Sequence, residues 1–159
     1  MAAKPPAAPF HCLSMTGPLG PLTVFEESGA IVALEWGRAG RSNPTPLLHE
    51  ARAQLDAYFD GRLQDFDLPL RPQGTPFQQA VWGHMRRIPY GQVRTYGDLA
   101  KATHSAARAV GGASGRNPIA IVIPCHRVVG AGGRMTGYSG GQGVATKQAL
   151  LRLEGWLLA

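Results

Sequence analysis

The stretch Leu68-Pro-Leu-Arg-Pro-Gln-Gly74 most constrains what this chain can fold into. Its prolines and glycine leave no room for a helix interior or a central strand. It reads as a linker by composition. We expect an N-terminal domain over 9–70, a connection over 71–75 and a C-terminal domain over 76–159. Before the break, Leu22–Phe25 and Ile31–Trp36 read as two strands, with Glu27-Ser28-Gly29-Ala30 as the turn of a hairpin. Leu47, Leu48, Ala51, Leu55, Tyr58 and Phe59 then recur at helical spacing, and Gly61 stops that helix. The first residues, Met1 to Leu13, read as a loose lead, without the apolar core of a signal peptide.

After the break the pattern is helical. Thr75 is an N-cap, Pro76 stands at N1 and Gln78 completes a capping box; Phe77, Val81, Met85 and Ile88 line one face. Thr95 caps a short helix to about Ala102, with Asp98 at N3. Ser105 caps another from Ala106 to about Ser114, ended by Gly115. Two short helices joined so closely fit a helix-turn-helix. Ile119–Ile123 reads as a short buried strand, Gly130–Gly143 as a glycine-rich loop and Val144–Glu154 as a last amphipathic helix. The fold class expected is α+β.

Charge divides at the same place. Up to Gly74, six Lys and Arg face eight Asp and Glu, a net −2; from Thr75 onward ten face two, a net +8. A basic half points to a polyanion, and nucleic acid is the usual one. No apolar run is long enough to span a membrane. Two cysteines, Cys12 and Cys125, do not make a disulfide framework, and free thiols in a cytoplasmic protein are expected.

Pro124-Cys125-His126-Arg127 follows the apolar run directly. A thiol attacks as thiolate, and a nearby His or Arg raises the thiolate fraction. Neighbours in sequence need not touch, however, and the same residues fit a buried structural cysteine equally well. His11-Cys12 with Cys125-His126 offers four metal ligands, but adjacent ligands lack zinc spacing, so no metal is expected. The segment Ala106-Ala-Arg-Ala-Val-Gly-Gly-Ala-Ser114 is nearly all small. Two glycines cost a helix roughly 1 kcal/mol each against alanine. Such smoothness serves either tight helix–helix packing or close approach to DNA with one projecting arginine, Arg108.

From about Thr75 to Gly155 the sequence resembles the O6-alkylguanine-DNA alkyltransferase family. The segments that carry the resemblance are Pro89–Ala100, Ala107–Gly112, Arg116-Asn-Pro118, Ile123-Pro-Cys-His-Arg-Val-Val-Gly130 and Gly137-Tyr-Ser-Gly-Gly141. The N-terminal half is similar only in architecture, a small ribonuclease-H-like sheet-plus-helix domain.

The resemblance implies a cofactor-free, monomeric protein that binds duplex DNA in the minor groove and flips an O6-alkylguanine out of the stack. Cys125 matches the alkyl acceptor. His126 matches its base and Glu154 the acid that orients the imidazole. Asn117 matches the residue that ties the pocket together. Tyr96 matches the tyrosine that rotates the nucleotide and hydrogen-bonds the base. Arg108 fills the vacated space, and Ala107, Ala109 and Gly111 face the groove. Tyr138 and Ser139 close over the base, and the carbonyls of Cys125 and Val128 accept from its exocyclic amine. The thioether product implies one use per molecule. The chain departs from the family at Ser114, where a larger residue is common, and in a longer loop before Lys147. Three rivals stand beside this reading: a non-catalytic relative that only binds alkylated DNA, a Cys-His hydrolase, and a DNA-binding module with an incidental thiol. The presence of Cys125 counts against the first.

Overall fold

Three antiparallel strands open the computed structural model, which describes residues 10–138 and 140–157. They are β1 (His11–Gly17), β2 (Gly20–Glu27) and β3 (Ala30–Trp36), paired in the order β1-β2-β3. Ser28 and Gly29, both at positive φ, make the two-residue turn between β2 and β3. This is the primed turn whose twist suits a hairpin. Strand β1 corrects the expectation of a loose lead as far as Leu13. Cys12, Leu13 and Met15 are buried against the helix that follows, a tertiary contact that their neighbourhood of Pro and Ala conceals.

Helix α1 (Pro46–Phe59) covers the sheet, with Leu48, Ala51, Leu55 and Tyr58 buried. Its N-cap Thr45 accepts from the Leu48 N–H and donates to Glu26 of β2, so one side chain ends a helix and ties it to the sheet. The linker is not free chain. Ile31 N–H donates to the Pro69 carbonyl and Arg71 N–H to the Ile31 carbonyl, each at 2.8 Å, which blunts one edge of β3.

The second part is mostly helical. Helix α2 (Pro76–Arg86) begins with the expected capping box of Thr75 and Gln78, and α3 (Tyr96–Ala102) with that of Thr95 and Asp98. Helix α4 (Ala107–Gly115) follows, and α5 (Val144–Leu153) closes the part. Two-residue strands β4 (Arg94–Thr95) and β5 (Val128–Val129) pair in parallel. The cap of α4 is a correction. Its N-cap is Ala106, with no side-chain bond, while the Ser105 hydroxyl meets the Thr103 hydroxyl at 2.8 Å instead.

Ile119–Ile123 is also a correction: it is a turn and not a strand. Ile123 N–H returns to the Ile119 carbonyl, and Ile121 stands at φ 71°, a region that β-branched residues avoid. The Asn117 side chain holds this shape. Its Nδ2 donates to the Ile123 carbonyl at 2.8 Å and its Oδ1 accepts from the Ile119 N–H at 3.0 Å. The apolar run reflects burial of Ile119, Ile121 and Ile123, which length and hydrophobicity could not distinguish from a core strand.

The two parts share one core. Leu34 N–H donates to the Pro118 carbonyl at 2.9 Å, and the apolar cluster runs from Leu13 to Leu150 without a break. Among the described residues no helix is long and apolar enough to cross a membrane.

Candidate active site and nucleic-acid interface

The turn that Asn117 holds delivers Pro124 to a single 3-10 turn, Cys125–Arg127. Cys125 lines a cavity of about 520 Å³, together with Asn117, Ser114 and Tyr138. Cys125 is only 8% exposed and is not bridged to Cys12. Burial pushes its thiol above the ordinary value; a hydrogen bond from Asn117 and the charge of Lys147 act in the opposite direction and lose. The resting group is therefore a thiol. Adjacency to His126 and Arg127 does not make it a thiolate, because those two side chains turn elsewhere.

They turn to Glu154, the C-cap of α5. His126 Nε2 lies 2.6 Å from Glu154 Oε2, and Arg127 Nε donates to Oε1 at 2.7 Å and Nη2 to Oε2 at 3.1 Å. All three residues are buried. Burial pushes the Glu154 carboxyl up, but the donors from His126, Arg127 and Tyr58 outweigh it and hold it at about 2. Burial pushes the His126 imidazole below its ordinary value, and the attraction of Glu154 does not restore it. An ionised Glu154 accepts, so the neutral imidazole carries its proton on Nε2. Its Nδ1 is then a bare acceptor, buried and with no hydrogen-bond partner among the described residues.

Two residues at this centre were not singled out from sequence. Lys147 is fully buried; its ammonium donates to the Thr136 carbonyl at 2.7 Å and stands 5.6 Å from the centre of the Tyr96 ring. Burial lowers it to about 8. Trp36, at the end of β3, reaches the Cys125 cavity from the N-terminal sheet, and its buried indole N–H has no partner among the described residues. Gly140 makes room for it: a Cβ there would lie 2.4 Å from Trp36 Nε1. No local pattern announces that a strand end will meet a loop a hundred residues later.

Tyr96 is half-buried, its hydroxyl 3.4 Å from the carbonyls of Thr136 and Gly137. Val128 is buried behind Cys125, and its N–H donates to the Cys125 carbonyl. Ser139 lies outside the described residues. Ala107, Arg108 and Ala109 are exposed on α4, while Val110, Ala113 and Ser114 form its inner face. A Cβ on Gly111 or Gly112 would meet nothing within 4 Å. The glycines are therefore not there for helix–helix packing, and the smooth face looks outward. Among the described residues no group of three His, Cys, Asp or Glu side chains could hold a metal ion.

Comparison with known proteins gives a consistent result along most of the chain. The family model of the 6-O-methylguanine DNA methyltransferase ribonuclease-like domain matches residues 11–72, and that of the DNA binding domain matches residues 76–156. The methylated-DNA–protein-cysteine methyltransferase of Methanosarcina acetivorans is 43% identical over 148 residues, 87% of this chain and 94% of that protein. Its counterpart in Mycobacterium tuberculosis is 44% identical over 153 residues, 91% of this chain and 92% of that one. The crystal structure of Mycobacterium tuberculosis OGT in complex with DNA aligns with a TM-score of 0.82 at 45% identity, covering 91% and 92% of the two chains.

Proposed function

Because this chain belongs to the methylated-DNA–protein-cysteine methyltransferase family and repairs alkylated DNA, we propose that Cys125 takes the alkyl group and keeps it. The observation that carries this is the bare, buried Nδ1 of His126, the residue next to a buried thiol, on an imidazole whose other nitrogen is held by a carboxylate. That is the nucleophile, base and orienting acid of covalent catalysis.

The substrate is O6-alkylguanine in duplex DNA, entered from the minor groove with the guanine flipped into the Cys125 cavity. The protein acts as a monomer in the cytoplasm. Helix α4 lies along the groove, with Ala107, Ala109 and Gly111 allowing close approach and Arg108 occupying the vacated space. Tyr138 and Ser139 close over the base. The carbonyls of Cys125 and Val128 accept from its exocyclic amine.

The thiol proton passes to His126 Nδ1 through a water. The Sγ lone pair attacks the alkyl carbon, the carbon–O6 bond breaks and its electron pair stays on guanine. Guanine leaves as the neutral base by taking a proton at a ring nitrogen to which Tyr96 donates its hydrogen bond; His126 returns the thiol proton through water, so no net proton is gained or lost. Burial raises the Tyr96 phenol above its ordinary value, so it donates a hydrogen bond rather than standing as phenolate. The product on Cys125 is a thioether. Among the described residues no group lining the cavity reverses that bond, so each molecule reacts once.

Intact mass after incubation with duplex carrying O6-methylguanine tests this. One added methyl, mapped to the Cys125 peptide, is the expected result. Cys125→Ala should abolish the gain while retaining DNA binding. An unchanged mass in the wild-type protein would leave only the binding reading.

A further inference from the structure

The inner end of the relay is held from the other half of the chain. Tyr58, on α1, donates its hydroxyl to Glu154 Oε2 at 2.6 Å. This is the same oxygen that faces His126 Nε2, also at 2.6 Å. Tyr58 is fully buried and packs on three rings, Phe59, Phe66 and Tyr90, with centroids 5.3 to 6.2 Å away. Its position is thus fixed by packing and not by the hydrogen bond.

We infer that Tyr58 is a positioning residue for the transfer, through which the N-terminal domain sets the orientation and basicity of Glu154 and so of His126. The inference rests on the reading of Cys125 and His126 given above. Three donors converge on Oε2: Tyr58 Oη, His126 Nε2 and Arg127 Nη2. A carboxylate that is fully engaged neither rotates nor draws the imidazole proton across. Without the phenol, Oε2 would have one donor fewer, become a stronger acceptor for His126 and favour the imidazolium. A base that holds its proton more tightly is already occupied at higher pH.

The charged and titratable groups around the pair are Arg127, Lys147, Tyr58 and Tyr90, with Cys125 in the cavity. Arg127 and Lys147 both oppose protonation of His126. Tyr90 turns its hydroxyl to the Leu153 carbonyl at 3.2 Å and lies under the Arg127 guanidinium. Only Tyr58 among these comes from the N-terminal domain, and of the two phenols only its own donates to the carboxylate. The domain therefore does more than cover the core.

The test is single-turnover methyl transfer by full-length Tyr58→Phe across a pH series. The Phe ring keeps the packing and removes one hydroxyl. The acid limb should move to higher pH by roughly half to one unit, with a plateau rate about 5- to 10-fold lower. Tyr90→Phe, which leaves Glu154 its donors, should keep the limb where it is. A Tyr58→Phe limb that coincides with wild type would overturn the inference while leaving the role of Cys125 intact. Absence of transfer in wild type would instead remove the functional reading itself. If Tyr58→Phe does not fold, the wild-type protein still decides. A phenol held against a buried carboxylate should give a slowly exchanging, downfield hydroxyl proton in its NMR spectrum. Its absence in fully folded protein overturns the inference.

Discussion

The indole N–H of Trp82 donates to the Ala113 carbonyl at 2.9 Å, so a core residue of α2 grips the last turn of the outward-facing helix α4. Both partners are buried, and the bond joins the hydrophobic core to the helix proposed to meet DNA. Trp82→Phe should cost about 0.5–1.5 kcal/mol, because the Ala113 carbonyl loses one of its two donors and keeps only the Arg116 N–H at 3.2 Å. Urea denaturation reads this. Affinity for duplex should fall more than reaction of Cys125 with a small free-base substrate, since the helix and not the thiol is loosened.

The open face of α4 yields a prediction in which stability and binding separate. Gly112→Ala meets no neighbour and gains helix propensity, so it should raise stability by roughly 0.5–1 kcal/mol. Gly111→Leu should leave the melting temperature near wild type yet weaken duplex binding at least tenfold. If binding survives Gly111→Leu, this face is not the DNA face.

Arg108→Ala should slow repair in duplex much more than reaction with O6-methylguanine as free base. Equal losses on both would remove its role in filling the vacated stack. Binding of the wild-type protein should also weaken steeply as salt rises, because phosphate contacts release counterions. Measurement of affinity between low and physiological salt tests the functional meaning of the +8 half.

The Glu154 cluster sets an acid dependence whose sign is fixed. Glu154 is depressed from 4.5 to about 2, so its stabilising contribution is full above 4.5 and lost as pH falls towards 2. His126 is depressed from 6.5, so the unfolded chain binds a proton that the folded chain resists, and stability also declines below about 6.5. Denaturation midpoints should therefore fall in two windows on acidification. Glu154→Gln should abolish the lower window and, by stranding Arg127, cost about 3–5 kcal/mol at neutral pH.

Trp36→Ala opens the wall of the cavity that Cys125 lines. Transfer from bulky adducts such as O6-benzylguanine should rise relative to methyl, read as the ratio of the two single-turnover rates. An unchanged ratio would mean that the indole does not bound the alkyl group.

Much of this protein is legible in its residues alone. Thr75-Pro76-Phe-Gln78 and Thr95-Tyr-Gly-Asp98 announce two helix starts, because capping boxes are closed by atoms three residues apart. Pro124–Arg127 and the flanking segments identify the family, and the charge imbalance identifies the polyanion-facing half. What those residues could not express is contact across distance. Strand β1 and the turn at Ile119–Ile123 are decided by burial against elements far away in sequence, and Ser105 loses the cap of α4 to a helix that starts one residue later. The centre behaves in the same way. The sequence places His126 and Arg127 next to Cys125, and adjacency suggests an activated thiolate. Tertiary structure instead buries the thiol and turns both side chains to Glu154. It adds Tyr58 from 96 residues before Glu154, Trp36 from the sheet, and Lys147 from α5. Sequence determines which groups are available, because that is chemistry held in single side chains. Which of them share a proton is decided only by packing, because a hydrogen bond requires a separation of about 3 Å.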